Sequence, residues 1–183
     1  SRSSFPIVGG FQNAIGGVTN NFAQDGVVLK FNPNLTTNLF ATYLGGSGDD
    51  AAYVLSLAPN GDIYVAGGTA SSNFPGNKAG TIGASPFGRI DGFVAVVSND
   101  GSTLIRSTYI VTDGDDQVYG IQFDQNGFPY VMGQTTGNWQ VRNATYSNPG
   151  GKQFIAKLQP DLSAYVYSTM FGTASANPNI SPT

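Results

Sequence analysis

Short apolar runs of strand length recur along the chain and are separated by turn-forming residues. They are rich in Val, Ile, Tyr and Phe and occupy residues 27–31, 39–43, 53–58, 63–66, 93–97, 104–110, 118–123, 129–132, 154–158 and 165–171. Runs of this length and composition predict β-strands. No stretch shows a helical period with recognisable caps. We therefore expect an all-β protein.

Two of the connections carry the strongest short signal for a hairpin. "PNGD" at 59–62 and "QNGF" at 125–128 each place Asn-Gly between two apolar runs. Asn-Gly is favoured where a tight turn joins antiparallel strands. The runs on either side of each turn are therefore predicted to pair.

The pattern is an internal repeat. Residues 42–69 return as residues 108–135, 66 positions later (108 − 42), in the same register and without a gap. A third copy starts at Phe154, 61 positions after Phe93 (154 − 93). Repeats of this length are typical of solenoids, propellers and other arrays, so they constrain the fold before any single motif does.

Each unit contains four predicted strands, which is the description of a β-propeller blade of four antiparallel strands. With run 53–58 as the inner strand of a blade, about two and a half blades are present. The predicted units are the outer part of a blade in residues 1–50, whole blades at 51–112 and 113–174, and a linker to a next blade at 175–183. Propellers close with roughly 4 to 8 blades. We expect a fragment of a larger propeller or, alternatively, a short protein that closes its ring by oligomerising.

Three stretches in combination resemble a known repeat. "FVAVVSNDGSTLIRSTYI", "YLGGSGDD" and "LAPNGDIYVAGGTASSNFP" are similar to the bacterial β-propeller repeat called the SBBP repeat, and the resemblance covers nearly the whole chain. The third unit departs from it, because "FGTASANPN" replaces the Gly-Gly-x-Gly-x-Asp corner and Trp139 replaces Phe74. The resemblance implies a large secreted or cell-surface protein. Such proteins occur in gliding, adhesion-rich Bacteroidetes, and some are cargo of type IX secretion.

The composition limits the functions that the chain can have. A net charge of −3 with 10% charged residues argues against nucleic-acid binding, which needs a basic surface. No apolar run approaches the roughly 20 residues of a membrane span. The chain has no His and no Cys, so the commonest general base and the thiolate and imidazole metal ligands are missing. We expect a protein that is not an enzyme and has no cofactor, with calcium as the exception considered next.

Aspartates in the corner loops are the remaining polar candidates. The pairs are Asp49 with Asp50, and Asp115 with Asp116. Three interpretations stay open: turns closed by Asp side chains, Ca²⁺ bound by carboxylate and carbonyl oxygens, or a carboxylate pair of a glycosidase. A melting temperature unmoved by a chelator would argue against calcium.

Aromatic side chains in or beside two long loops, residues 73–90 and 137–151, are the candidate binding residues. They are Phe74, Phe87, Trp139 and Tyr146. These loops are the least repeat-like parts of the chain, and variable loops on a rigid scaffold often carry binding. The alternative for Phe74 and Trp139 is that they fill the gap between neighbouring blades.

These observations favour a non-enzymatic scaffold or binding segment of a secreted or cell-surface bacterial protein, with a role in adhesion or gliding or as type IX cargo. The expected partners are further blades of its own longer chain or another protein, the secretion machinery, or a surface glycan. A propeller-type glycan hydrolase or lyase and a calcium-stabilised stalk are the alternatives.

Overall fold

All ten predicted strands occur, and all are antiparallel. The computed structural model of the protein describes residues 5–17 and 24–173. Its strands are β1 Gly26–Phe31, β2 Asn38–Leu44, β3 Asp50–Leu57, β4 Ile63–Thr69, β5 Asp91–Val97, β6 Leu104–Ile110, β7 Asp116–Phe123, β8 Pro129–Thr135, β9 Gln153–Leu158 and β10 Tyr165–Phe171. The described residues contain no helix, and hence none that is long and apolar enough to cross a membrane.

The strands form three sheets in chain order. The first sheet pairs β1 with β2; the second runs β3-β4-β5-β6 and the third β7-β8-β9-β10. Within each sheet, every strand pairs with its neighbour in sequence, so the two four-stranded sheets are simple meanders. The unit boundaries after residues 50 and 112 stay predictions, and the linker predicted at 175–183 lies outside the described residues.

The Asn-Gly hairpins form as predicted. Gly61 and Gly127 both have a φ angle in the left-handed region, at 88° and 81°, which glycine adopts without a steric penalty. Gly61 N–H donates to the carbonyl of Ala58 at 2.8 Å, and Gly127 N–H donates to Asp124 at 3.0 Å. The two turns therefore close in the same way.

The same irregularity also recurs in β3 and β7, the first strands of the two four-stranded sheets. The register shifts between Ala52 and Val54 in β3, and between Val118 and Gly120 in β7. Each bulge adds one tyrosine, Tyr53 or Tyr119, and the two tyrosine rings lie 5.3 Å apart. Bulges increase local twist, so both sheets are deformed at equivalent points and their inner strands meet there.

Apolar side chains between the sheets form two cores. The core between the first and second sheets contains Val28, Phe40, Leu44, Ile63, Val65, Phe74, Phe93, Ala95, Val97 and Tyr109. The core between the second and third sheets contains Tyr64, Ala66, Val94, Val96, Ile110, Val118, Ile121, Val131, Phe154, Ala156, Leu158 and Leu162. Both faces of the second sheet are covered at β4 and β5, which explains why these two strands are buried at every position and lack the alternation of a half-exposed strand.

The two seams, meaning the contacts between successive sheets, use equivalent backbone hydrogen bonds. Asp50 N–H donates to Gln24 at 2.7 Å in the first seam, and Asp116 N–H donates to Ile90 at 2.8 Å in the second. Both residues of the second pair lie 66 positions after their counterparts in the first pair (116 − 50 and 90 − 24). The sheets therefore stack with a repeated geometry, in which equivalent residues of the sequence repeat make equivalent contacts.

Long loops cover the outer edge of each sheet. Ala41 of β2 exchanges backbone hydrogen bonds with Val8, and Ser168 of β10 does so with Arg142. Ser107 of β6 donates to the carbonyl of Asn77 at 3.1 Å. An uncovered strand edge is a template for aggregation, so the loops protect these edges from pairing with another chain.

Equivalent positions in the two inner strands give a matched test of this packing. Ile121 is 1% exposed and its counterpart Leu55 is 51% exposed. We expect Ile121→Ala to lower the free energy of unfolding by about 2–5 kcal/mol, because it leaves a cavity in the second seam. Leu55→Ala should cost less than about 1 kcal/mol. Urea unfolding of both variants measures this, and equal losses would contradict the stacking described.

Candidate ligand-binding groove

Asp50 and Asp116 are turned into the corners that precede their strands. Asp50 Oδ2 accepts hydrogen bonds from the N–H of Gly46 and the hydroxyl of Ser71, both at 2.7 Å. Asp116 accepts from the N–H of Thr112 at 2.6 Å and from its hydroxyl at 2.9 Å. Both side chains are buried. These contacts are those expected of carboxylates that close turns.

Burial has a cost for these carboxylates. Desolvation raises the pKa of Asp50 above its usual value and raises the pKa of Asp116 to about 6. Hydrogen bonds from threonine and serine hydroxyls act in the opposite direction in both cases. Asp116 is fully enclosed, and this enclosure is the main cause of its raised pKa.

Asp49 and Asp115 make separate contacts. Asp49 Oδ1 accepts from the N–H of Gln24 at 3.2 Å, and Asp115 Oδ2 lies 2.7 Å from the guanidinium of Arg89. Within residues 5–17 and 24–173, no group of three or more acidic, His or Cys side chains is arranged to hold a metal ion. Calcium at these aspartates stays a prediction.

Two further aspartates, Asp25 and Asp91, anchor the long loops. Asp25 Oδ2 accepts from the N–H of Gly16 at 2.8 Å. Asp91 accepts from the N–H groups of Phe87 at 3.1 Å and Gly88 at 2.9 Å. Burial raises the pKa of both carboxyls. Asp91 thereby fixes the backbone that presents the Phe87 ring.

Phe74 and Trp139 fill equivalent gaps within the cores. The Phe74 ring lies 4.3 Å from that of Phe93, and Trp139 stacks on Phe154 at 3.9 Å with the rings nearly parallel. Phe74 is buried, whereas Trp139 is only partly buried. The structure therefore supports the gap-filling interpretation for both, and Trp139 additionally reaches a surface groove.

That groove lies at the seam between the second and third sheets and has a volume of about 440 Å³. It is lined by Ile82, Phe87, Val111, Thr112, Asp113, Asn138, Trp139, Gln140, Arg142 and Tyr165. Small-molecule sites typically have volumes of about 300–1,000 Å³ and combine apolar walls with a few oriented polar groups. We call this feature the seam groove.

The polar side chains of the seam groove are held in place by one another. Asp113 accepts hydrogen bonds from the backbone N–H of Asn138 at 2.6 Å and from its amide nitrogen at 2.7 Å. The first of these bonds is the main reason that the pKa of Asp113 is lowered. Arg142 donates to Gln140 at 2.7 Å and lies over the Tyr165 ring at 5.5 Å. A carboxylate, two amides and a guanidinium thus surround an aromatic surface.

Phe87 and Tyr146 differ in their relation to this groove. Phe87 lines the seam groove and is 70% exposed, which is unusual for a side chain of its size. Tyr146 is 64% exposed but does not line the groove; its backbone carbonyl accepts a hydrogen bond from the Thr169 hydroxyl. Of the four predicted binding residues, the structure brings together only Phe87 and Trp139.

The groove lining departs from the repeat. At the first seam, the residues equivalent to Val111, Thr112, Asp113, Arg142 and Tyr165 are Gly45, Gly46, Ser47, Asn77 and Leu104. A residue that every unit needs is structural, whereas a residue that only one unit carries serves that unit alone. Arg142, Tyr165, Asn138 and Gln140 were not singled out from the sequence. A comparison of the units for such departures could have found the first two.

Comparison with protein-family models and with curated proteins gives no match to this chain. The resemblance to the SBBP repeat therefore rests on the quoted stretches, and the description of the groove rests on its geometry.

Asp116 makes stability depend on pH in a defined direction. A carboxyl whose pKa rises from 3.8 unfolded to about 6 folded contributes stability below pH 4 that is lost as the pH rises through 6. The contribution corresponds to about 2–3 kcal/mol. The side chain introduced by Asp116→Asn cannot ionise. Between pH 4 and pH 7, the free energy of unfolding of this variant should therefore fall by about 2–3 kcal/mol less than that of the unchanged protein.

Chemical denaturation across this pH range measures the effect. Asp115→Asn is the matched control, because the adjacent carboxylate is paired at the surface with Arg89. An Asp116→Asn profile parallel to that of the unchanged protein would contradict the burial of an ionisable carboxyl at this corner.

Proposed function

We propose that this chain is a segment of a β-propeller that serves as a non-enzymatic binding scaffold and holds a glycan in the seam groove. The observation that carries the proposal is the lining of the groove. Aromatic and polar side chains occupy positions at which the first seam has small or unrelated residues. The repeated stacking of sheets supports the propeller part of the proposal, because radial repetition of four-stranded sheets defines that fold.

Open apolar faces support the view that further blades pack at both ends. Val27, Leu29 and Phe31 of β1 are exposed on the face of the first sheet that points away from the second. Met132 of β8 is exposed as well, in the sheet at the opposite end of the stack. Contiguous exposed apolar surface marks an interaction site. Further blades of its own longer chain are the partners we propose for these faces.

A glycan fits the seam groove for chemical reasons. One face of a sugar ring is formed by C–H groups and stacks on aromatic rings such as Phe87. Its hydroxyls donate to a carboxylate such as Asp113 and accept from a guanidinium such as Arg142. The groove has no net excess of one charge sign, since Asp113 and Arg142 are its only ionised groups. We therefore propose a neutral glycan.

The proposed role is recognition without turnover. The corner carboxylates of Asp50 and Asp116 are enclosed and committed to turn hydrogen bonds, and Asp113 is held by Asn138. The proposed setting, a secreted or cell-surface bacterial protein with a role in adhesion or gliding or as type IX cargo, is supported by the resemblance of the repeat stretches alone.

Phe87→Ala tests the groove. We expect the protein to bind members of a panel of neutral bacterial-surface oligosaccharides and to return them unaltered by mass spectrometry. Phe87→Ala should weaken that binding about tenfold or more in calorimetry, because it removes the exposed aromatic wall. Its melting temperature should stay unchanged, since the side chain lies largely in solvent.

Tyr146→Ala is the matched control, because it removes another exposed aromatic ring outside the groove. Equal losses for Phe87→Ala and Tyr146→Ala, or no binding of any glycan by the unchanged protein, would contradict the proposal. A bound glycan that is cleaved would contradict the non-enzymatic role.

A further inference from the structure

Among residues 5–17 and 24–173, the first sheet has two strands where each of its counterparts has four. β1 takes the position of β5 and β9, each of which is paired on both edges. β1 pairs with β2 on one edge, and no strand among the described residues pairs with the other. The backbone donors and acceptors along this second edge of β1, which lies next to β3, therefore have no strand partner among the described residues.

The neighbouring strand β3 is uncovered at the same place. Leu55 and Leu57 face the first sheet, because their cross-strand partners Val65 and Ile63 belong to the core on that side. They are 51% and 61% exposed. Two leucines beside a free strand edge form a site that we call the hairpin slot.

The second seam shows what fills such a slot. Ile121 and Phe123 of β7 are the repeat equivalents of Leu55 and Leu57, and both pack in the core of the second seam. The second sheet covers them with residues of β3 and β4. The Tyr64 ring meets the Phe123 ring edge-on at 4.9 Å, and Val54 packs against the same core.

We propose that the hairpin slot binds a β-hairpin with the pattern of residues 50–69, supplied by a further repeat of the same protein. The hairpin would add two strands to β1 and complete the first sheet to four. It would place an aromatic ring over Leu57, as Tyr64 lies over Phe123, and a tyrosine against Tyr53, as Tyr53 lies against Tyr119. Strand addition of this kind combines backbone hydrogen bonds with side-chain pockets.

The chain's own described residues cannot supply this hairpin. Its two hairpins of this pattern, β3–β4 and β7–β8, already form the inner halves of the second and third sheets. The longest stretch outside the described residues is 174–183, ten residues, whereas residues 50–69 comprise twenty. A further repeat of the same protein is therefore the occupant that fits both the length and the pattern.

This inference deepens the proposed propeller and is independent of the seam groove. The hairpin slot lies at the first sheet, whereas the groove lies between the second and third sheets. A failure to bind glycans would leave the slot untouched, and an unfilled slot would leave glycan binding untouched.

A direct fusion tests the slot at native spacing. Phe5 is the counterpart of Phe74, because its ring packs on Tyr43 at 5.3 Å much as the Phe74 ring faces Tyr109. Four residues separate Thr69 from Phe74, and four residues also precede Phe5. A copy of residues 49–69 joined directly to Ser1 is therefore placed as an inner hairpin. We expect hydrogen exchange of the β1 amides to slow at least tenfold and the melting temperature to rise.

Substitutions in the added hairpin and in the receiving chain test whether the hairpin slot binds specifically. Tyr64→Asp within the added copy, or Leu55→Asp in the receiving chain, should abolish the protection of β1. Ile105→Asp is the matched control, because it changes another exposed apolar side chain away from the slot and should leave protection intact. Unchanged exchange in β1 after fusion overturns the proposal.

Two other outcomes also decide it. If the fusion does not fold, the same segment added as a synthetic peptide at millimolar concentration must slow exchange in β1, and its failure to do so overturns the proposal. If the unfused chain sediments as a dimer with β1 already protected, and Leu55→Asp makes it monomeric, the occupant is a second copy and the proposal is wrong.

Discussion

Face-to-face burial between successive sheets is the interaction on which this protein depends. A four-stranded meander has two faces and no core of its own, so its apolar side chains leave water only when another sheet covers them. The second sheet is covered on both sides at its strands β4 and β5, which are buried throughout. The first and third sheets each have one covered face. Stability therefore increases with every seam that forms, as in other repeat proteins.

The loops and corners serve that stacking before they serve any ligand. The aromatic side chains of Phe74 and Trp139 reach from the loops into the cores, where they pack on Phe93 and Phe154. The backbone of the same loops covers the outer strand edges. Asp50 and Asp116 close the corners even though burial raises their pKa values. The hydrogen bonds that these carboxylates accept offset the cost of desolvation. They also give the buried N–H groups of the corners the partners that they would otherwise lack.

Much of this fold could be predicted from the sequence, because the repeat and the strand patterns are local signals. Every predicted run coincides with a strand, apart from Ala58 just past the end of β3, and both Asn-Gly turns form hairpins. The difference in burial between the exposed Leu55 and the buried Ile121 could not be predicted, since the two residues have the same place in the repeat and differ only in what lies opposite. The seam groove was missed for a related reason: Asn138 and Gln140 come from one loop and Tyr165 from β10, and their proximity follows from stacking alone. The corner aspartates left three interpretations open because a carboxylate beside glycines suits turns, calcium and catalysis equally.

A double-mutant cycle across the second seam tests the central claim most directly. Tyr64 belongs to the second sheet and Phe123 to the third, and their rings meet edge-on at 4.9 Å. If the sheets stack as described, the losses in unfolding free energy for Tyr64→Ala and Phe123→Ala should be coupled by about 1 kcal/mol. Losses that add to within about 0.3 kcal/mol would show that the two rings do not meet, and would contradict the stacking from which the groove and the hairpin slot both follow.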